Sequence, residues 1–258
     1  MSVAEKWQRM PMLAFDTETS GVDVFTDRIV TATLIRTHPD KPTDTWHYIV
    51  DPGIPIPTAA SDVHGYTNDR AQAEATHTPE QALFEITGRI ALWMSHGWPL
   101  VAMNAPYDLT LLEAENQRHG IDTLVARLGG VGKVQPVIDP RVLDKHADTY
   151  RKGGRKLTDL CSLYGVQLQD AHSSSADALA AAQLVPAIIT RHSRAFPGHT
   201  LASLHQSQIG WAREQMHSLR SYFDRQGTPH DGCCPSWPLH TTSCAPHHTN
   251  RETEGAHP

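Results

Sequence analysis

The chain is 258 residues long, enough for one full α/β domain with an appendage, and carries 22 Lys and Arg against 28 Asp and Glu, a formal charge of −6 with its 17 His neutral. Mean hydropathy is −0.41, and no apolar run approaches the roughly 20 residues needed to cross a bilayer, which excludes a membrane-spanning protein. The acidic balance also argues against a protein that coats long nucleic acid, since such proteins are usually basic. It leaves room for a site built of cation-binding carboxylates.

The opening MSVAEKWQRMPMLAFD has no apolar stretch followed by a small-residue cleavage site, so no secretory leader is expected and the compartment is read as cytoplasmic. In chain order, 12–16 (MLAFD), 29–35 (IVTATLI) and 45–50 (TWHYIV) predict a meander of three strands, each rich in β-branched or aromatic residues. After the turn-rich DPGIPIP at 51–57, Thr78-Pro79-Glu80-Gln81 combines an N-cap, a proline at the first helical position and a capping-box glutamine. A helix should run from there to about Met94, with Leu83, Ile86, Ile90, Trp93 and Met94 as its apolar stripe. The run PLVAM at 99–103 predicts a strand, and 105–119 a helix ended by Gly120. The cycle repeats with a strand at 134–139, a helix after Pro140, a Gly-Gly loop at 153–154 and a helix at 156–164 closed by Gly165. The helix from Ala176 to about Arg191 contains Pro186, which should kink or break it. A meander followed by strand–helix alternation predicts an α/β domain on a mixed sheet.

Three short segments carry chemistry. Residues 16–21 read DTETSG directly after an apolar strand; because strand side chains alternate, Asp16 and Glu18 share one face and Thr17 points to the other. Two carboxylates on one site repel each other unless a hard divalent cation binds between them. Residues 104–112 read NAPYDLTLL and place Asp108 in the first turn of a helix. Residues 171–179 read AHSSSADAL and place His172 in a loop and Asp177 in the first turn of the next helix. Each motif alone equally describes an acidic turn, a capped helix or a surface histidine.

Together the three motifs resemble the DEDD superfamily of 3′–5′ exonucleases, specifically the DEDDh branch typified by the proofreading epsilon subunit of bacterial DNA polymerase III. The resemblance covers roughly residues 11–192: D-x-E matches Asp16 and Glu18, N-x-x-x-D matches Asn104 and Asp108, and H-x-x-x-x-D matches His172 and Asp177. The HG-containing segment between the first two motifs appears as VHGYT at 63–67. Ser174 is a departure, standing where many members carry a small apolar residue, and it bears on local packing.

The resemblance implies a ribonuclease H-like mixed five-stranded sheet flanked by helices, and two divalent cations, Mg²⁺ or Mn²⁺. Asp16 would bridge both, Glu18 and Asp177 would complete one site, and Asp108 would serve the other. His172 would be the general base. The implied reaction removes nucleoside 5′-monophosphates from nucleic-acid 3′ ends, DNA ahead of RNA, with Thr19, His64, Asn104 and the backbone near Thr17 holding the terminal nucleotide. An exoribonuclease trimming RNA ends shares the same motifs. A non-catalytic module associated with a polymerase is a reading of a different class. The cationic stretch Arg151, Lys152, Arg155 and Lys156 reads equally as a phosphate-tracking or a solvated loop.

The catalytic domain is expected to end near 192. Thr200 should cap a further helix with Ile209, Ala212, Met216, Leu219 and Phe223 on its apolar face, making 193–227 an amphipathic C-terminal extension that could dock a DNA polymerase or other replication partner. From 228 to 258 the chain is rich in Pro, His, Thr and Ser without periodicity, and disorder is expected. His230, Cys233, Cys234, His240, Cys244, His247 and His248 include zinc-type ligands, yet their spacing fits no regular zinc module. With Cys161, the four cysteines are too few and too clustered to staple the fold, so reduced thiols are expected.

Overall fold

The apolar run at 12–15 opens the central strand of a five-stranded sheet ordered β3-β2-β1-β4-β5. The computed structural model describes residues 3–168, 171–229, 233–241 and 244. After a short helix α1 (Val3–Gln8), strands β1 (Met12–Thr19), β2 (Ile29–His38) and β3 (Lys41–Ile49) form the antiparallel meander. Strand β1 runs three residues further than expected because Asp16 and Glu18 remain in register opposite Thr33 and Thr31, so the acidic motif lies within the strand. Helices α2 (Thr58–His64) and α3 (Asn68–Glu74) follow, then α4 (Pro79–Ser95), which has the capping box expected of Thr78 and Gln81.

Strand β4 (Leu100–Val101), helices α5 (Ala105–Arg118) and α6 (Leu124–Leu128), strand β5 (Val137–Ile138) and helices α7 (Pro140–Ala147), α8 (Leu157–Tyr164) and α9 (Ser174–Arg191) complete the alternation. β4 and β5 pair parallel to β1 and to each other but are only two residues each, shorter than the runs at 99–103 and 134–139 suggest. Pro99 and Pro136 have no N–H to offer a ladder, and Asn104 and Pro140 already begin helices. The short helices α1, α2, α3 and α6 were not anticipated from the sequence.

Strand periodicity divides the core in two. Leu13 and Phe15 of β1 pack with Leu34, Leu100 and Val137 against α4 and α5. Met12 and Ala14 point the opposite way and pack with Ile35, Val101 and Ile138 against α8 and α9. Helix α9 stays continuous across Pro186, so of the kink or break expected there the break does not occur. Leu184, Val185, Ile188 and Ile189 are fully buried on that helix, and about 1.5–3 kcal/mol from each outweighs the roughly 3 kcal/mol an internal proline costs.

The C-terminal helix α10 (Leu201–Gln226) starts at a capping box of Thr200 and Ser203, as expected of Thr200. Its contact face differs from the predicted stripe. Leu204, His205, Gln208 and Ala212 are buried, whereas Met216, Leu219 and Phe223 are only partly covered. Two polar side chains dock the helix against β5. His205 Nδ1 accepts from the Val137 N–H at 3.1 Å, while Gln208 accepts from the Asp139 N–H at 2.8 Å and donates to the Val137 carbonyl at 3.0 Å. The helix thereby satisfies the edge of β5, whose backbone groups would otherwise be buried unpaired.

Residues 233–241 lie in the stretch where disorder was expected, yet Trp237 is buried in the main core, its ring tilted against that of His205 with centroids 5.1 Å apart. The His240 N–H donates to Thr110 Oγ1 at 2.8 Å. Burial of one indole anchors a segment that has no regular periodicity to reveal it. Cys234 and Cys244 form a disulfide, correcting the expectation of reduced thiols and removing both from any zinc site; Cys161 and Cys233 are free. His230, His247 and His248 lie outside the described residues. Among the described residues no helix is long and apolar enough to cross a membrane.

Candidate active site

The two-faced strand determines the site. Even-numbered residues of β1 face α9, so Asp16 and Glu18 meet Asp177 in that helix's first turn, and one carboxylate oxygen from each of the three lies within 4.8 Å of the others. Thr17 points to the opposite face and meets α5. Asp108 Oδ1 accepts from the Thr17 N–H at 3.0 Å and from Thr17 Oγ1 at 2.7 Å. The D-T-E triplet thus supplies two carboxylates to one side and a clamp for a third carboxylate on the other. Thr17 is buried and both its N–H and hydroxyl are engaged by Asp108, so its side chain orients that carboxylate.

The electrostatics of this cluster are unfavourable without a counter-charge. Burial, then the charges of Asp108, Asp177 and Glu18, push Asp16 well above the usual carboxylate range. Burial and the charges of Asp177 and Asp108 raise Glu18 to about 8. Asp108 is raised to about 7 by burial, against the opposing Thr17 hydrogen bonds. Asp177 is raised by burial and drawn back by His172. Asp177 Oδ1 is buried with no hydrogen-bond partner. Converging carboxylate oxygens, one of them orphaned, form the donor set of a hard divalent cation, and the residues present fit such an ion.

His172 is exposed in the turn before α9 with a φ of 70°, and Asn104 at the start of α5 has a φ of 62°. Among the described residues these are the only non-glycine positions with positive φ, and both belong to the motifs singled out from sequence. Asn104 is exposed; its side-chain Oδ1 accepts from Arg141 at 2.9 Å. Sequence reasoning missed the residue that holds this corner, Asp139. Its buried carboxylate accepts from the N–H groups of Asn104, Ala105 and Arg141, capping α5 and α7 together. The Asp-Pro pair before a predicted helix was the available signal.

Ser174 is buried, with its hydroxyl 3.2 Å from Thr31 Oγ1 and 2.8 Å from Thr33 Oγ1; Thr33 in turn reaches His47 Nδ1 at 2.8 Å. The departure seen in sequence is therefore matched by threonines on β2, which seat the first turn of α9.

Beside Glu18 lies a cavity of about 360 Å³ walled by Thr19, Val22, Pro57, Val63, His64 and Tyr107. Gly65 takes a φ of 77°, which ends α2 and folds the chain so that the Tyr66 N–H donates to His64 Nδ1 at 3.1 Å. The proton of His64 is then on Nε2, which donates to the Thr19 carbonyl at 3.2 Å. Both nitrogens are engaged within the protein, burial lowers the pKa of the ring, and His64 offers the cavity an apolar ring. Thr19 Oγ1 and the Tyr107 hydroxyl lie 2.5 Å apart, and each is 2.6 Å from the Gly21 carbonyl, fixing the turn that forms one wall. Tyr107 was not singled out from sequence.

The exonuclease (RNase T) family matches residues 13–185, a span from β1 into α9 that contains Asp16, Glu18, Asp108, His172 and Asp177. The chain belongs to the exonuclease family. Among curated relatives of this exonuclease-family chain, the PolC-type DNA polymerase III of Streptococcus thermophilus is 24% identical over 195 residues, 75% of the chain and 12% of that polymerase. The DNA polymerase III subunit epsilon-like protein of Rhodobacter capsulatus is 35% identical over 107 residues, 40% of the chain and 14% of that protein. The chain thus spans only a small part of the length of either.

Among solved structures, one of exonuclease I superposes with a TM-score of 0.61 at 18% identity, covering 72% of this chain and 42% of the other. The E. coli exonuclease I complex with a dT13 oligonucleotide gives 0.59 with the same identity and coverage. The fold is the ribonuclease H-like exonuclease fold, a mixed five-stranded sheet flanked by helices with C-terminal helices added.

Proposed function

We propose that the chain is a DEDDh-type, metal-dependent 3′–5′ exonuclease that hydrolyses phosphodiester bonds at DNA 3′ ends and releases nucleoside 5′-monophosphates. The observation that carries this reading is the convergence of Asp16, Glu18 and Asp177 within 4.8 Å, on a strand end whose reverse face anchors Asp108. These four carboxylates would hold two divalent cations, Mg²⁺ or Mn²⁺. When bound, the cations supply positive charge against the attacking and leaving oxygens of an in-line displacement at phosphorus.

The chain's own groups perform the rest. Thr17 holds Asp108 in one orientation, and Asp139 holds the start of α5 beneath it. The cavity beside Glu18 takes the terminal nucleoside between His64 and the Thr19–Tyr107 wall. His172, exposed at the mouth of the cluster, accepts the proton of the attacking water while the P–O3′ bond breaks. The product is a 5′-monophosphate and a shortened strand with a free 3′ hydroxyl. The oligonucleotide complex of exonuclease I supports nucleic acid as the substrate class. Docking of a polymerase through 193–227 would use the outer half of α10, since its inner half already covers β5.

The test offers labelled single-stranded DNA, 3′-mismatched duplex DNA and RNA of equal length, each with Mg²⁺, with Mn²⁺ and with EDTA. Metal-dependent release of deoxynucleoside 5′-monophosphates from DNA is expected. Failure to release mononucleotides from any of the three removes the enzymatic reading, and a preference for RNA replaces DNA with the exoribonuclease reading.

A further inference from the structure

A second concave surface lies away from the carboxylates, between α7, the loop at 148–155 and the outer half of α10. It is a groove of about 460 Å³ with four cations on its walls, Arg141, Lys145, Arg155 and Arg225, and no carboxylate among the lining residues. In a chain of net charge −6 this is a marked local inversion of sign. Behind it, the fully buried Asp144 pairs with both Arg151 at 3.0 Å and Arg155 at 2.8 Å, so one negative charge faces two guanidinium groups and positive charge is left over. Burial, then the charge of Arg155, lowers the Lys145 pKa against the opposing charge of Asp144. Two aromatic rings flank the cations: Tyr150 is 95% exposed and Tyr222 50% exposed.

The groove also connects to the site. Arg141 on its wall donates to Asn104, which opens the helix carrying Asp108, and Asp139 caps both helices at that junction. We propose that this groove binds the phosphodiester backbone of single-stranded nucleic acid upstream of the 3′ end held at the carboxylates, with Tyr150 and Tyr222 stacking on its bases. Clustered cations interleaved with exposed aromatics are the chemistry by which proteins hold single strands irrespective of sequence. A cationic track separate from the acidic centre lets an acidic protein retain a polyanion between cleavage events. This inference rests on the exonuclease reading for its orientation, not for the binding itself.

The experiment uses the full chain in EDTA, so that no strand is cut, and reads fluorescence anisotropy of 5′-labelled oligothymidylate and oligouridylate across a salt series. The Lys145→Gln, Arg225→Gln double variant is expected to bind about tenfold more weakly, with a salt slope shallower by about 1.4, the value for two lost phosphate contacts on a single strand. Tyr222→Ala should weaken binding by about tenfold through lost stacking, and Tyr222→Phe should restore it. Hydrolysis of the p-nitrophenyl ester of thymidine 5′-monophosphate, too small to reach the groove, should be unchanged in all three. Wild-type affinity and salt slope in the double variant would overturn the groove. Absence of hydrolysis by the wild-type protein, with groove-dependent binding intact, would instead remove the exonuclease reading alone.

Discussion

The two edges of the α5 and α7 corner are built on opposite principles. At the β5 seam the strand's backbone groups are met by side chains of α10: Val137 is bonded through both its N–H and its carbonyl, and the Asp139 N–H is met by Gln208. At the end of β1, a short distance along the same sheet, four carboxylates are crowded together, and Asp177 Oδ1 is buried without a hydrogen bond. The first arrangement lowers the free energy of the fold. The second raises it until a cation arrives, and it is sustained by the packing of β1 on both faces. Crowded like charges with an unpaired carboxylate oxygen mark where ligand chemistry occurs, while backbone groups met by side chains mark where the chain holds itself together.

That contrast can be broken most severely at the carboxylates. Asp16→Ala with Glu18→Ala should abolish nuclease activity beyond detection while the melting temperature in EDTA holds or rises, since the variant removes mutual repulsion; a fall in metal-free stability would show that these groups hold the fold. His172→Ala should lower kcat by about 10²–10⁴-fold with divalent-ion affinity by calorimetry unchanged, because the histidine is not among the converging oxygens.

At the seam the expected response is thermodynamic. Gln208→Leu leaves the Asp139 N–H and the Val137 carbonyl unpaired, and about 2–4 kcal/mol of unfolding free energy should be lost in urea titrations. Equal stability of the variant would mean that water replaces the side chain at this edge.

The smallest effect separates the regions by pH. The folded-state pKa of Glu18 lies at about 8 against an ordinary 4.5, so folding takes up a proton between those values and the metal-free protein should lose stability as pH rises through that window. His205 has its pKa lowered from 6.5 by burial, so its contribution is full above 6.5 and is lost as pH falls below it. The two effects therefore oppose each other below 6.5, and only the Glu18 loss remains above it. In EDTA melting curves His205→Gln should steepen the fall in stability with rising pH below 6.5 and leave it unchanged above.

Much of this was legible in the sequence. The alternation that places Asp16 and Glu18 on one face and Thr17 on the other is a property of any strand, and the capping box at Thr78, the cap at Thr200 and the stops at Gly120 and Gly165 are local hydrogen-bond chemistry. Long-range polar contacts were not legible. His205 and Gln208 read as the polar side of an amphipathic helix and turn out to be its docking face, because the surface they meet is a strand edge that needs hydrogen bonds. Pro186 reads as a kink or a break, and only the buried leucine, valine and isoleucines around it show why the helix continues.

By itself, then, the sequence determined the order of the elements, the two faces of β1 and the residue types of the cluster, since these follow from backbone periodicity and from side chains a few positions apart. Tertiary structure alone decided that Thr17 clamps Asp108, that Asp139 ties α5 to α7, that Thr31 and Thr33 receive Ser174, and that Cys234 pairs with Cys244. Each of these joins elements far apart in the chain or a segment without periodicity. Such contacts form only after packing has brought the partners together, and no local propensity encodes them.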